Sequence, residues 1–135
     1  MEFQFDTATR DAQNDAVVRL IGTAPTLRIY GGADKPATCA DPTDATVLAE
    51  GSLPSVWMLP SAEGKILKAG EWMLRGTEAA GTGTPGRFFR ILSNGACRIQ
   101  GTFGKDGAMK PRGINQIQQG QAVEIASFAW MAGNA

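Results

Sequence analysis

The chain contains no histidine. That absence removes the usual general base, the commonest metal ligand and the one side chain that titrates unperturbed near neutral pH. An excess of either charge is also missing, since 13 basic side chains meet 13 acidic ones and the formal net charge is +0. Non-specific binding to nucleic acid or to an anionic membrane surface needs a positive field, so neither partner is expected. No apolar run approaches the ~18 residues that cross a membrane as a helix. The start, Met-Glu-Phe-Gln-Phe-Asp, lacks the basic head and long apolar core of a signal peptide, which points to synthesis in a cytoplasm. Cysteine is sparse. Cys39 and Cys97 lie far apart, outside any CxxC pattern, and without histidine they make no zinc site. Pairs of this kind are mostly free buried thiols, with a single disulfide as the alternative.

Catalytic motifs are equally scarce. Gly81-Thr82-Gly83-Thr84-Pro85-Gly86 matches GxGxxG in form, but that motif holds a pyrophosphate only where it opens a helix. Here Pro85 removes an amide and strand-forming residues follow, so the segment reads as a glycine-rich loop. There is no GxxxxGK[ST] and no SxxK to supply a lysine base. Asp34, Asp41 and Asp44 fall in a loop, where solvation is their ordinary fate. The expectation is a non-enzyme with no catalytic residue, cofactor or metal site.

What is present is a pattern of strands. The 135 residues are enough for one domain, and 17 glycines and 7 prolines are spread along it as turns between short strands. One helix comes first. Asp6 or Thr7 caps it, Ala8 to Ile21 runs without Gly or Pro, and Gly22 and Pro25 end it. Ala12, Ala16, Val17, Leu20 and Ile21 make an apolar stripe expected to face the core. Strands follow at Thr26–Tyr30, Val47–Leu53, Lys65–Lys68, Glu71–Arg75 and Ala122–Met131, with loops over Ala33–Thr46 and Gly104–Gly113. Arg87–Leu92 and Cys97–Thr102 form a hairpin around Asn94-Gly95, a pair suited to the two positive φ angles of a type I′ turn. The sum is a mainly β domain, a single β-sandwich of Greek-key, immunoglobulin-like or jelly-roll-like type with one N-terminal α-helix. Residues 1–5 read as an arm and 6–135 as that domain.

Neither face of the hairpin is cleanly apolar in the simple register, which pairs Leu92 with Cys97, Arg90 with Ile99 and Phe88 with Gly101. The last strand changes face midway between Ile125 and Phe128, as a bulge would cause. Both faces are therefore covered, either within the monomer or by another protein. Bulky clusters at Val56-Trp57-Met58-Leu59 and Trp72-Met73-Leu74 belong partly to the core. Aromatic residues beside arginine also have the composition of interface cores.

The order of segments is distinctive. A short lead precedes Asp6-Thr7-Ala8-Thr9-Arg10-Asp11-Ala12-Gln13-Asn14-Asp15-Ala16, then comes Ala24-Pro25-Thr26-Leu27-Arg28-Ile29-Tyr30-Gly31-Gly32. Later, Gly81-Thr82-Gly83-Thr84 precedes Arg87–Leu92, and Gln119-Gly120-Gln121-Ala122-Val123-Glu124-Ile125-Ala126-Ser127-Phe128 lies near the end. From about Asp6 to Trp130 this resembles a family of small structural proteins of tailed bacteriophages, of capsid decoration or cement type. It departs from that pattern between Pro54 and Lys68, where Trp57, Met58 and Pro60 make a bulkier stretch.

The resemblance implies a virion protein on the capsid surface, a homotrimer contacting the major capsid protein, with no catalytic residues to carry over. On that expectation Trp57, Met58, Phe89, Phe128 and Trp130 are the contact candidates, and the lead with Phe3 and Phe5 is an arm for a neighbouring strand. The alternatives are a phage neck or tail component, or a carbohydrate-binding adhesion module using Trp57, Trp72, Trp130 and Tyr30 as platforms.

Overall fold

A computed structural model describes residues 3–131, which form one α-helix, a single 3-10 turn at Glu78–Ala80 and eight strands. Helix α1 covers Thr7–Ile21. Asp6 caps it, its carboxylate accepting from the Thr9 amide at 2.8 Å. Hydrogen bonds from Thr9, its side chain first and its amide second, hold that carboxyl below the ordinary carboxylate range. At the other end the Gly22 amide donates to Val18 and closes the last turn.

The strands are β1 (Thr26–Gly31), β2 (Thr46–Ser52), β3 (Lys65–Leu67), β4 (Trp72–Gly76), β5 (Phe88–Ser93), β6 (Ala96–Thr102), β7 (Met109–Pro111) and β8 (Ala122–Met131). All of their pairings are antiparallel. The order is β3-β8-β4-β2-β1-β5-β6, with β7 also paired to β8. This sheet curls into a half-barrel, a sandwich-like arrangement whose flanks face one another across a single core. A parallel bridge between Phe103, just after β6, and Met109 draws the two ends of the sheet together. The mainly β class with one N-terminal helix is therefore what the sequence indicates.

Several local expectations change. Lys65–Lys68 and Glu71–Arg75 are strands, but β3 and β4 pair with β8, not with each other. The expected loop at Gly104–Gly113 contains β7, a strand of only three residues set by its partner β8. In the hairpin, Asn94 and Gly95 do take φ of 52° and 80°, and Leu92 does oppose Cys97. Beyond that pair the register slips by one residue, so that Ile91 opposes Ile99 and Phe89 opposes Gly101. The bulge at Arg98 returns Ile99 to the core face beside the buried Ile91. A second irregularity lies where the sequence suggested it. Lys110 opposes Ser127 while Pro111 opposes Ile125, which leaves Ala126 over and puts both Ile125 and Phe128 inside.

The outer face of β5 and β6 is covered within the monomer by the segment 32–45. The expectation of free thiols is corrected here: Cys39 and Cys97 form a disulfide, with Cα atoms 5.5 Å apart. Arg90, buried on this face, anchors the same segment. Its guanidinium donates to the carbonyls of Asp41 (2.7 Å) and Thr38 (3.4 Å) and to Gln100 Oε1 (3.1 Å). Gln100 in turn donates to the Pro36 carbonyl at 2.9 Å. A buried cation is tolerated when its donors are satisfied, and these carbonyls satisfy them. Neither cysteine belongs to a recognisable pair in sequence; the β5–β6 turn and the 32–45 excursion bring them together.

A bridge spanning 58 residues removes substantial freedom from the unfolded chain. Reduction by a dithiol, or the double change Cys39→Ser with Cys97→Ser, should lower the unfolding free energy by about 2–4 kcal/mol in a denaturant titration. A midpoint that does not move on reduction would count against the bridge.

Candidate functional site

The core accounts for most of the contact candidates. Trp57, Met58, Phe89 and Phe128 are buried, at 1, 4, 1 and 5% exposure respectively. Together with Trp72 and the half-buried Trp130, the aromatic candidates make one connected cluster. Trp57 lies 6.1 Å from Trp72 and 6.4 Å from Trp130, ring centroid to centroid, and Phe128 lies 5.2 Å from Phe89 and 5.7 Å from Trp72. The assignment of Trp57, Met58, Phe89 and Phe128 as surface contacts is therefore corrected. The physical reason is that a single curled sheet must fill its concave side from within, and these side chains do so. Of the candidate sugar platforms, Tyr30 stacks on Phe88 at 4.7 Å, Trp57 and Trp72 are buried, and the Trp130 indole N–H is spent on Asn14. Phe3 is half exposed and meets the partly buried Phe5 edge-on at 5.3 Å.

Helix α1 is docked by its polar side. Asn14 is 1% exposed, and its Nδ2 donates to Ser61 Oγ at 2.9 Å and to the Gly64 carbonyl at 3.0 Å. Its Oδ1 accepts from Trp130 Nε1 at 3.1 Å. Asp11 accepts from Ser61 Oγ at 2.6 Å and from the Gly64 amide at 2.8 Å, and Asp15 accepts from the Ser61 amide at 3.0 Å. One helix face thus clamps the turn that leads into β3. Gly64 has φ +79°, a conformation that favours glycine, and the flexible Arg10 guanidinium lies over it. The C-terminal end is tied as well. Trp57 Nε1 donates to the Gly22 carbonyl and Ser93 Oγ to the Ile21 carbonyl, each at 2.9 Å.

The consequence is an inversion of the expected stripe. Of its five residues, only Ile21 is buried. Ala12 and Ala16 are exposed, Val17 is 37% exposed and Leu20 is 72% exposed. A separate shallow apolar groove is lined by Val18, Val56, Trp57 and Met58, and Val56 itself is 69% exposed. The surface feature this fold builds is therefore an outward apolar ridge on a helix that is rigidly held from behind.

The sequence reading missed Asn14, Asp11, Asp15, Ser61 and Arg90. A signal existed for the first three, because they lie one turn apart on one side of the helix. That spacing describes a solvated face equally well, and only the partner turn distinguishes the two.

No family model matches the chain, and no curated protein and no solved structure matches it significantly.

Two substitutions separate the roles assigned here. Asn14→Ala strands the Trp130 indole, the Ser61 hydroxyl and the Gly64 carbonyl, and should cost about 2 kcal/mol, with a change in tryptophan emission as Trp130 loses its partner. Trp57→Ala should cost about 3–5 kcal/mol as a core truncation. A fully stable Trp57→Ala protein in thermal melts would return Trp57 to the surface.

Proposed function

We propose that the chain is a bacteriophage virion structural protein that decorates an assembled capsid and stabilises it. The observation that carries this reading is the orientation of α1. Asp11, Asn14 and Asp15 are consumed by the turn at 61–64, while Val17 and Leu20 are left on the outward side of the helix. Exposed apolar area costs a free monomer solubility and is recovered on association, so a fixed, outward ridge favours a protein partner. The order of helix, strands and glycine-rich loop adds the resemblance to small tailed-phage decoration proteins.

The mechanism is mass action. A protein that binds the assembled lattice but not its free subunits shifts the equilibrium against disassembly. As a homotrimer at a local threefold position it gains from avidity, since three modest ridges act together on the major capsid protein. A net charge of +0 suits dense placement on one surface, where like-charged neighbours would repel. In this reading the contact residues are Leu20 and Val56, in place of the buried aromatics.

Co-sedimentation with separated heads and tails of the parent particle tests the reading. Saturable binding to heads at a fixed ratio is the expected outcome, and binding to tails alone would replace it with a neck or tail role. Leu20→Asp should weaken head binding at least about tenfold, because a carboxylate at a desolvated apolar contact is strongly disfavoured. Its melting temperature should stay within a degree or two of the parent, since exposed positions rarely alter stability by more than about 0.5 kcal/mol. Unchanged head occupancy by Leu20→Asp would remove the ridge from the interface.

A further inference from the structure

Among the described residues β6 is the terminal strand of the sheet and pairs along its length only with β5. The three-residue β7 reaches Phe103 through one bridge and, among the described residues, leaves the edge of 97–101 away from β5 without a strand beside it. Between that stretch and β8 the half-barrel has an open seam. Its lining is strongly apolar, formed by Val17 of α1, Ile99 of β6, Ala108, and Phe128 and Ala129 of β8. The depression continues past Ala108, Phe128 and Ala129 to a second one edged by Lys65, Leu67 and Lys68. The salt bridges among the described residues all lie elsewhere, at Arg28–Glu50, Arg87–Asp34 and Arg112–Glu124. The seam thus combines an unpaired strand edge, an apolar floor and a lysine rim.

An occupant fitting all three is an extended segment with bulky apolar side chains on one face and carboxylates beside them. The chain itself contains one. Glu2-Phe3-Gln4-Phe5-Asp6 alternates with period two, placing both phenyl rings on one side and acidic or amide groups on the other. Glu2 lies outside the described residues. Phe3 is 52% exposed, and residues 3–6 have no regular secondary structure. We propose that the N-terminal segment of a second copy of this chain adds as a strand beside β6, with Phe3 and Phe5 in the seam and the Glu2 carboxylate toward Lys65 and Lys68. This is β-augmentation between protomers, with backbone pairing for affinity and two aromatic anchors for register. Such a contact is head-to-tail, so repetition around an axis closes a ring. The inference rests on the proposed reading of the chain as an oligomeric virion protein, and it names the junction that would hold the oligomer together.

Sedimentation velocity of the full chain at about 1–100 µM tests it without any phage particle. The parent chain should form a closed oligomer. An arm variant, Phe3→Ser with Phe5→Ser, and a groove variant, Ala108→Glu, should each sediment as folded monomers. Both changes fall on partly or largely exposed side chains, and circular dichroism checks that each variant is folded. Mixed in equal amounts, the two variants should form a dimer and nothing larger, because one intact arm and one intact groove make a single junction. Lys65→Glu should weaken association, and Glu2→Lys in the same chain should restore it. A monomeric parent chain, an arm variant that associates like the parent, or a mixture that stays monomeric would each overturn the proposal. Head binding is read separately. An oligomer with this junction that ignores heads refutes decoration alone, whereas a monomer that binds heads refutes the junction alone.

Discussion

The carboxamide of Asn14 decides which side of the helix meets water. It is buried and fully used, donating to a hydroxyl and a carbonyl of the 61–64 turn and accepting from an indole of β8. Rotating α1 to bury its apolar stripe would strand all of these groups, at about 1–3 kcal/mol for each one left unsatisfied. The gain from burying Leu20 is only about 1.5–3 kcal/mol, so the polar docking prevails. From this choice follow the outward ridge, the shielding of Trp130, and the placement of Val17 beside the seam.

The second constraint is the curl of the sheet. A single sheet that bends over its own core has one concave surface to fill, and five large rings fill it, two from β8 and one each from β4, β5 and the loop before β3. Bulges at Arg98 and Ala126 let β6 and β8 turn apolar residues inward on both sides of the bend. The same curvature leaves the outer face of β5 uncovered, and segment 32–45 closes it through Arg90 and the Cys39–Cys97 bridge. Each device compensates for a local rule that another element breaks.

Surface and interior therefore exchange roles relative to ordinary intuition. Trp57 and Trp72, which composition alone would assign to a binding face, are buried in the core. The small helix, which pattern alone would tuck into the core, carries the exposed apolar ridge. The division means that the exposed Leu20 and Val56 can be altered without disturbing the core, whose rings set the shape beneath them.

Much of the fold was legible in the chain. Alternation in β1, and strand-forming runs between turn signals elsewhere, placed β1, β2, β4, β5, β6 and β8 within a residue or two, Asn94-Gly95 marked the hairpin, and Asp6 and Gly22 bounded the helix, because these signals are local and depend on backbone preferences. The three-residue β7 was not legible, since a strand that short is defined by its partner. Nor was the one-residue slip in β6, because a bulge leaves the local pattern intact and only changes what lies opposite. Disulfide pairing, the burial of Trp57 and Phe128, and the outward rotation of α1 were all tertiary decisions. Each depends on residues tens of positions away meeting in space, as Asn14 meets Ser61 and Trp130, and periodicity along one segment carries no information about its partner.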